Sequence, residues 1–360
     1  MKDHRQRFLG VGFYNSKSKI AVRLLAPERL EVDRAFFSNR IRAALAVRQR
    51  LFPEATSFRV VNSESDFLSG LIIDKYADVL VVQISSLGMD QRKAMILQAL
   101  EEIFSPRAIV ERSEASFRKF EGMPQSNGIL SGALEGTVAV DLNGLQFEVD
   151  ILGGQKTGLY LDQQRNYQLV AGLAKGRVVL DCFSFLGGFA LHAARAGARQ
   201  VHGLEQSGDA VQSARRQARI NGLEGNCSFE ETNVFDWFKA HAAKAHERVI
   251  AQFDLIVLDP PSFTRTRAAI PEAMRGYKEI HLRALKLLKP AGVLVTFCCS
   301  HHVNAVLFER IILQAALDAR RVLRRVATYT QCPDHPILPA VPETEYLKGF
   351  AYEVAGWAHV

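Results

Sequence analysis

The sequence predicts an α/β protein in which a Rossmann-like domain follows a smaller α+β domain and a short β segment. From about residue 176 onward, short apolar strands alternate with helices, a pattern typical of βαβ units and a parallel sheet. Upstream of that point, strand candidates follow one another with few helices between them. A chain of 360 residues is long enough for two or three domains.

The first 143 residues divide into three predicted segments. Residues 1–26 carry two short strands, and residues 27–56 form a linker helix, whose helical pattern covers 28–51 and is ended by Pro53. Residues 57–143 form the α+β domain, with strands near 58–61, 71–73, 79–84 and 108–111, a helix at 91–103 and final strands within 128–140.

Residues 144–360 form the predicted Rossmann-like domain. After a strand at 145–151, the pattern predicts strands at 178–180, 200–204, 228–231, 253–258 and 292–298, and helices at 189–196, 208–221, 277–288 and about 304–317. Sheets of this kind bind ligands at the carboxyl ends of their strands, so polar residues at those ends are the candidate site.

Composition excludes several classes of protein. No run of eighteen apolar residues is present, which predicts no membrane span, and the charged N-terminus does not resemble a secretory signal. The five cysteines form no C-x-x-C pair and are odd in number, which argues against a disulfide framework and a structural zinc site. A reducing cytoplasm is the expected location.

The positive charge is concentrated at the N-terminus. Residues 1–56 hold twelve Lys and Arg against five Asp and Glu, which accounts for the whole formal net charge of +7. Such a basic segment beside a neutral body indicates a polyanion partner, although a solvated terminus rich in Arg gives the same count.

The first two strand ends predict an adenosine-type cofactor. Asp181, Phe183 and Ser184 precede Gly187-Gly188, where the backbone can turn tightly and a helix N-terminus begins. Glu205 follows Gly187 by eighteen positions and can accept hydrogen bonds from ribose hydroxyls. This pairing leaves a dehydrogenase open, although the G-x-G-x-x-G pattern is absent.

Three further strand ends carry candidate chemistry. Asn233 and Val234 suit the edge and the face of an adenine, while Asp259 is fixed by the two prolines that follow it. Cys298 and Cys299 end the last predicted strand. Because strand alternation sends these two thiols to opposite sides, at most one is expected to react.

Five motifs along the chain are distinctive. They are Gly12-Phe13-Tyr14-Asn15, Gln155-Lys156-Thr157-Gly158, Asp259-Pro260-Pro261-Ser262-Phe263, Cys299-Ser300-His301-His302 and Tyr346-Leu347-Lys348. With them the chain closely resembles the RlmI-type family of 23S ribosomal RNA cytosine-C5 methyltransferases. These proteins have a PUA domain, a central domain and a class I methyltransferase domain that uses S-adenosylmethionine. Residues 1–26 resemble only the last strands of the PUA domain, so a truncated module is expected.

The resemblance implies a role for each matched residue. Cys299 is the implied nucleophile, and Asp259 is implied to hold the target base. RNA, as 23S ribosomal RNA or the large subunit, is the implied partner, and relatives suggest a homodimer. The implied cofactor residues are Thr157, Gly158, Asp162, Gln163, Asp181, Phe183, Ser184, Gly187, Glu205, Asn233, Val234 and Asp259.

Two alternatives remain at this point. A guanine N-methyltransferase on ribosomal RNA would use the same Asp-Pro-Pro-Ser-Phe sequence, and Cys299 would then be incidental. The other alternative is a non-catalytic RNA-binding ribosome-assembly factor. It is supported by Gln164 and Tyr167, which depart from the family's usual loop.

Overall fold

The chain forms two compact units. The computed structural model describes residues 1–113, 115–154, 158–242, 251–264 and 266–355. The first unit comprises Met1–Asp162 and Cys332–Thr344, and the second comprises Gln163–Gln331 and Glu345–Val360. The domain boundaries expected at residues 26, 56 and 143 all fall within the first unit and stay predictions.

The first unit contains nine strands and four helices in its described residues. They are β1 (Val11–Tyr14), β2 (Val22–Ala26), α1 (Arg34–Leu51), β3 (Ser57–Asn62), β4 (Leu71–Tyr76), β5 (Val79–Ile84), α2 (Leu87–Asp90), α3 (Lys93–Phe104), β6 (Ala108–Ser113), α4 (Ala115–Phe120), β7 (Ser126–Gly132), β8 (Val138–Leu142) and β9 (Leu145–Val149). Strands β3 to β7 form a sheet in sequence order, in which only β5 and β6 are parallel. Strands β1 and β2 pair with each other, as do β8 and β9.

Helix α1 starts later than its apolar pattern alone suggests. The Asp33 carboxylate accepts a hydrogen bond from the Phe36 backbone N–H at 2.9 Å, which fixes the first turn at Arg34. Phe37 and Ile41 are fully buried in the core of the first unit. The helix predicted from residue 28 is therefore shorter, because the cap at Asp33 sets its N-terminus.

Arg48 connects segment 332–344 with the rest of the first unit through hydrogen bonds. Its guanidinium is fully buried and donates to both oxygens of Asp66, at 2.6 and 2.8 Å, and to the backbone carbonyl of Asp334 at 2.8 Å. The Asp334 carboxylate in turn accepts a hydrogen bond from the Arg59 backbone N–H. One buried cation thus satisfies groups from three parts of the chain.

Replacing Arg48 with Met is expected to lower the free energy of unfolding by about 3 kcal/mol, because Asp66 and a buried carbonyl lose their donor. Urea unfolding followed by circular dichroism measures this change. Arg50→Met, at an exposed position of the same helix, serves as the control and should leave the free energy of unfolding nearly unchanged. Equal losses in the two variants would show that the buried contacts do not stabilise the unit.

The second unit contains seven strands and six helices in its described residues. They are α5 (Gln164–Ala171), β10 (Val178–Cys182), α6 (Gly188–Arg195), β11 (Gln200–Glu205), α7 (Gly208–Ile220), β12 (Cys227–Glu231), α8 (Val234–Ala242), β13 (Phe253–Leu258), α9 (Ile270–Leu287), β14 (Leu288–Cys298), α10 (Ala305–Asp318), β15 (Val322–Tyr329) and β16 (Lys348–Ala355). The sheet order is β12-β11-β10-β13-β14-β16-β15.

The five parallel strands confirm the predicted Rossmann-like sheet. Strands β10 to β14 are parallel, so their carboxyl ends meet at one edge. Strand β16 is antiparallel to both β14 and β15, and this antiparallel edge was not predicted. Five of the eight residues of β15 are exposed, and such an edge strand lacks the apolar run that marked the others.

No helix within the described ranges is long and apolar enough to cross a membrane. Among the same residues, no group of three or more His, Cys, Asp or Glu side chains is arranged to hold a metal ion.

Candidate active site

The loop between β10 and α6 has a left-handed backbone at three positions, and it is strained at the two that are not glycine. Phe183, Phe185 and Gly187 have φ angles of 63°, 50° and 85°, a region that residues with a Cβ rarely adopt. A Cβ on Gly187 would also lie 2.8 Å from the ring of Phe229. Strain of this kind is concentrated at ligand-binding loops, and this loop leads directly into the N-terminus of α6.

Asp181 lies buried beneath this loop. Its Oδ2 accepts hydrogen bonds from Ser184 Oγ at 2.7 Å and from the Ala190 backbone N–H at 3.0 Å. Its Oδ1 is buried and has no hydrogen-bond partner among the described residues. Burial raises the pKa of Asp181 to about 7. A buried acceptor without a donor leaves room for a ligand's hydrogen-bond donor.

The raised pKa of Asp181 predicts a pH-dependent stability. An acid whose folded pKa lies near 7, above its ordinary value of 3.8, contributes stability below that ordinary value and loses it as pH rises through 7. Asp181→Asn removes the titrating group, so its free energy of unfolding relative to that of the unmodified protein is expected to rise by about 2 kcal/mol between pH 5 and pH 8. Chemical unfolding at both pH values, without cofactor, measures the difference.

Asp209→Asn, at an exposed position of α7, is the control for this comparison. It should leave the pH dependence unchanged. If Asp181→Asn shows the same decline with pH as the unmodified protein, Asp181 is not the group that titrates.

Glu205 faces the same loop from the end of β11. Its Oε2 accepts a hydrogen bond from the Phe185 backbone N–H, and its Oε1 accepts one from Ser207, both at 2.9 Å. Each carboxylate oxygen keeps a second lone pair for another donor. A Cβ at nearby Gly203 would lie 3.0 Å from Ser184 Oγ, so glycine permits this close approach. The fixed carboxylate and the unpartnered Asp181 oxygen fit the hydroxyls and polar groups of an adenosyl cofactor.

Asn233 and Val234 are placed at the end of β12, at the start of α8. The Asn233 side-chain oxygen accepts hydrogen bonds from the backbone N–H groups of Phe235 and Asp236, which makes this residue a helix cap. Its amide nitrogen donates to Gln206 at 3.2 Å. Val234 is buried in the core. Phe235 is only partly buried and lies 5.8 Å from the ring of Phe263, so it offers an aromatic face here that sequence reasoning missed.

Asp259 is oriented by a chain of amide side chains. Gln163 Nε2 donates to Asp259 Oδ2 at 3.0 Å, and Asn166 Nδ2 donates to Gln163 Oε1 at 2.7 Å. Asn166 also donates to the backbone carbonyl of Thr330. Gln163 and Asn166 are both buried, so the carboxylate has a fixed direction at the end of β13.

The two adjacent thiols have different surroundings. Cys298 is fully buried, and its Sγ donates to the hydroxyl of Tyr277 at 3.4 Å. Burial raises the pKa of Tyr277. The centroid of its ring lies 4.6 Å from that of Phe263. Cys299 is partly exposed at the end of the sheet. The Asp259–Phe263 segment and the Cys298–Cys299 strand end therefore meet through Tyr277.

Lys348 interacts electrostatically with both thiols. It pairs with Cys298 in the β14–β16 register, and its Nζ donates to the Ser300 carbonyl at 2.6 Å. Burial lowers the pKa of Lys348, and the electrostatic interaction with Cys298 and Cys299 partly offsets this by raising it. The ammonium group is thus held next to the partly exposed thiol.

Comparison with known proteins identifies the family. The family of S-adenosylmethionine-dependent methyltransferases matches residues 71–342, and the PUA-like domain family matches residues 1–27. The chain is 40% identical to ribosomal RNA large subunit methyltransferase I of Shewanella amazonensis, over 98% of this chain and 89% of the relative. The chain belongs to this family of S-adenosylmethionine-dependent methyltransferases.

Two solved structures share the fold of this methyltransferase. A Streptococcus mutans protein assigned as a SAM-dependent methyltransferase superposes with a TM-score of 0.83, and a methyltransferase complexed with SAH superposes with 0.84. Each is 20% identical and matches 98% of this chain and 90% of its own. The family match, rather than these two structures, excludes the dehydrogenase alternative and identifies S-adenosylmethionine as the cofactor.

Three expected cofactor residues of the methyltransferase lie before the second unit. Thr157 is outside the described residues. Gly158 has a φ of 137°, and a Cβ there would lie 2.8 Å from the side chain of Val149. The Asp162 carbonyl accepts a hydrogen bond from Cys332. Within the first unit these contacts are structural, and the cofactor roles of these residues stay predictions.

Tyr167, which departs from the family's usual loop, has a structural role. Its buried ring packs against Phe189 at 4.7 Å and stacks on His192 at 5.2 Å. A Cβ at Gly188 would lie 2.5 Å from the same ring. Tyr167 therefore supports the N-terminal turn of α6, and its presence gives no reason to consider the cofactor site lost.

Proposed function

We propose that this methyltransferase forms 5-methylcytosine in 23S ribosomal RNA, with Cys299 as the nucleophile. The observation that carries the proposal is the contrast between two adjacent thiols. Cys298 is sealed in the core, whereas Cys299 is partly exposed beside Lys348, on the strand end that meets the Asp259 segment. A guanine N-methyltransferase needs no thiol at this position.

Methylation of cytosine at carbon-5 requires a nucleophile such as a thiolate. Carbon-5 of cytosine is a weak nucleophile, and attack of the Cys299 sulfur on carbon-6 moves the ring's double-bond electrons toward carbon-5. Carbon-5 would then form a bond to the methyl group while the bond between that methyl and the cofactor's sulfonium sulfur breaks, with S-adenosylhomocysteine as the leaving group. Transfer of the carbon-5 proton to a base would restore the double bond between carbon-5 and carbon-6 and expel the thiolate.

The cofactor supplies an electrophilic methyl group. Glu205 would hold its ribose, the strained loop at Phe183–Gly187 would lie against its adenosyl portion, and the free Asp181 oxygen would accept from one of its donors. Asp259, fixed by Gln163, would hold the nitrogen-3 edge of cytosine and so orient the ring for attack.

Lys348 would stabilise the thiolate form of Cys299, since a cation held nearby favours a negative charge. Lys348→Met is expected to shift the pH midpoint for alkylation of Cys299 upward by about one pH unit. Iodoacetamide labelling followed by peptide mass spectrometry measures this rate, and the other four cysteines are buried. Lys348→Arg keeps the charge and should keep the original profile. An unchanged pH profile of Cys299 alkylation in Lys348→Met would show that Lys348 does not stabilise the thiolate.

Trapping tests the proposal without relying on turnover. RNA containing 5-fluorocytidine has no proton to lose at carbon-5, so the cysteine adduct should persist after methyl transfer. A cofactor-dependent covalent complex on a denaturing gel, absent in Cys299→Ser, is the expected result. Equal trapping by the Cys299→Ser variant would overturn the assignment.

We infer a cytoplasmic homodimer that acts on 23S RNA or on the large ribosomal subunit. Light scattering of the purified protein tests the assembly, and a single protomer mass would contradict it.

A further inference from the structure

The carboxylate of Glu121 joins the N-terminal hairpin to the central sheet of the first unit. It accepts hydrogen bonds from Asn15 at 3.0 Å, from Arg23 at 3.0 Å and from Ser18. Arg23 also donates to Ser69 Oγ at 2.9 Å. The β1–β2 hairpin, the end of α4 and the loop before β4 are therefore linked by side-chain hydrogen bonds.

Three large aromatic side chains are exposed on these same segments. Tyr14 is 73% exposed, Phe120 is 57% exposed and Phe67 is 52% exposed. Isolated exposed apolar residues are common, but here two of the rings carry a cation. Lys19 Nζ lies 4.8 Å from the centroid of Phe120, and Arg40 Cζ lies 5.4 Å from that of Phe67.

Phe67 keeps this exposed position at a conformational cost. Its φ of 58° lies in the left-handed region, where glycine is favoured. Arg40 is fixed beside it by a hydrogen bond to the Leu25 carbonyl and by the ring of Phe36. A strained, half-exposed aromatic ring stacked with an immobilised guanidinium is typical of a binding surface.

The charge of this surface indicates the partner. Among the described residues, no ion pair involves Lys17, Lys19 or Arg40, so these cations are not neutralised by a carboxylate. All three belong to the basic segment of residues 1–56. Exposed rings interleaved with unneutralised cations match the alternating bases and phosphates of a single strand.

We propose that Tyr14, Lys19, Arg40, Phe67 and Phe120, here called the aromatic rim, bind single-stranded RNA. The rings stack on unpaired bases, and the cations contact the phosphates. A duplex hides its base faces and cannot use the rings. This proposal rests on the proposed function, since it names how residues of the first unit bind the same RNA substrate.

The test measures RNA affinity in the full-length protein without cofactor. The probe is a fluorescein-labelled single-stranded RNA of 20 nucleotides, followed by anisotropy, with a duplex of equal length for comparison. Phe67→Gly and Phe120→Ala should each weaken single-strand binding by about 5- to 100-fold and leave duplex binding unchanged. Lys19→Ala and Arg40→Met should each reduce the salt dependence of binding by about 0.7 in logarithmic slope.

Folding is controlled in the same experiment. Because Phe67→Gly relieves backbone strain, its melting temperature should equal or exceed that of the unmodified protein, so weaker binding cannot be attributed to misfolding. Leu317→Ala, at a 76% exposed apolar position of α10, should not change RNA affinity.

Three outcomes overturn the aromatic rim. The first is that Phe67→Gly and Phe120→Ala bind single-stranded RNA within twofold of the unmodified protein. The second is that the unmodified protein binds no RNA. The third is that the rim variants lose binding to phosphatidylglycerol vesicles and keep their binding to RNA. The first outcome leaves cytosine methylation intact. A methylated base other than cytosine, with the rim variants still weak in RNA binding, would instead overturn the proposed function.

Discussion

Cys299→Ala is expected to lower the rate of methyl transfer to RNA by at least about 10³-fold, since carbon-5 of cytosine reacts only after a nucleophile adds to carbon-6. The assay is incorporation of labelled methyl groups from S-adenosylmethionine into an unmodified 23S RNA transcript. Cofactor affinity should stay the same, because Glu205 and the loop at Phe183–Gly187 are untouched.

Cys298→Ala is the matched control for that variant. It removes the neighbouring thiol from a fully buried site, where the expected cost is a small loss of stability from the lost packing. Methyl transfer should stay within a few-fold of the unmodified rate. Full activity in Cys299→Ala, or equal losses in the two variants, would contradict covalent catalysis by Cys299.

Glu205→Gln is expected to weaken S-adenosylmethionine binding by about 10- to 100-fold, because a charged acceptor for the ribose hydroxyls is lost. The amide also places an N–H₂ group where one oxygen now accepts a backbone N–H from Phe185 or Ser207. Isothermal titration calorimetry without RNA measures the dissociation constant directly.

Glu231→Gln provides the comparison at the adjacent strand end. Glu231 pairs with Glu205 in the β11–β12 register, so the two substitutions change charge by the same amount at neighbouring positions. Only Glu205→Gln should change cofactor affinity strongly. Similar effects of the two variants would indicate a general electrostatic effect and would remove the ribose role of Glu205.

The sequence predicts the parallel part of the sheet well, because buried parallel strands appear as continuous apolar runs between helices. Strand β13 was predicted with the boundaries that the structure shows. The exposed edge strand β15 and the addition of residues 332–344 to the first unit were not predictable in this way. That segment is held by Arg48 and Asp334, a long-range contact that leaves no local periodic pattern.

The sequence predicts which candidate residues lie at the ends of strands, but it does not predict which side chains they contact. The positions of Glu205 and Asp259 follow from the rule that strand ends bind ligands. The link from Gln163 to Asp259 and the place of Lys348 beside the thiols depend on tertiary pairing, which spacing does not show. Alternation separated Cys298 from Cys299, but only the packing of the core shows which thiol is buried.

Nucleoside analysis of the product tests the central claim most directly. An unmodified 23S RNA transcript would be methylated with labelled S-adenosylmethionine, digested to nucleosides and separated by chromatography with mass detection. Covalent methylation of cytosine predicts that the label appears in 5-methylcytidine and disappears with Cys299→Ala. Label in a methylguanosine would contradict it, and so would RNA binding without any label.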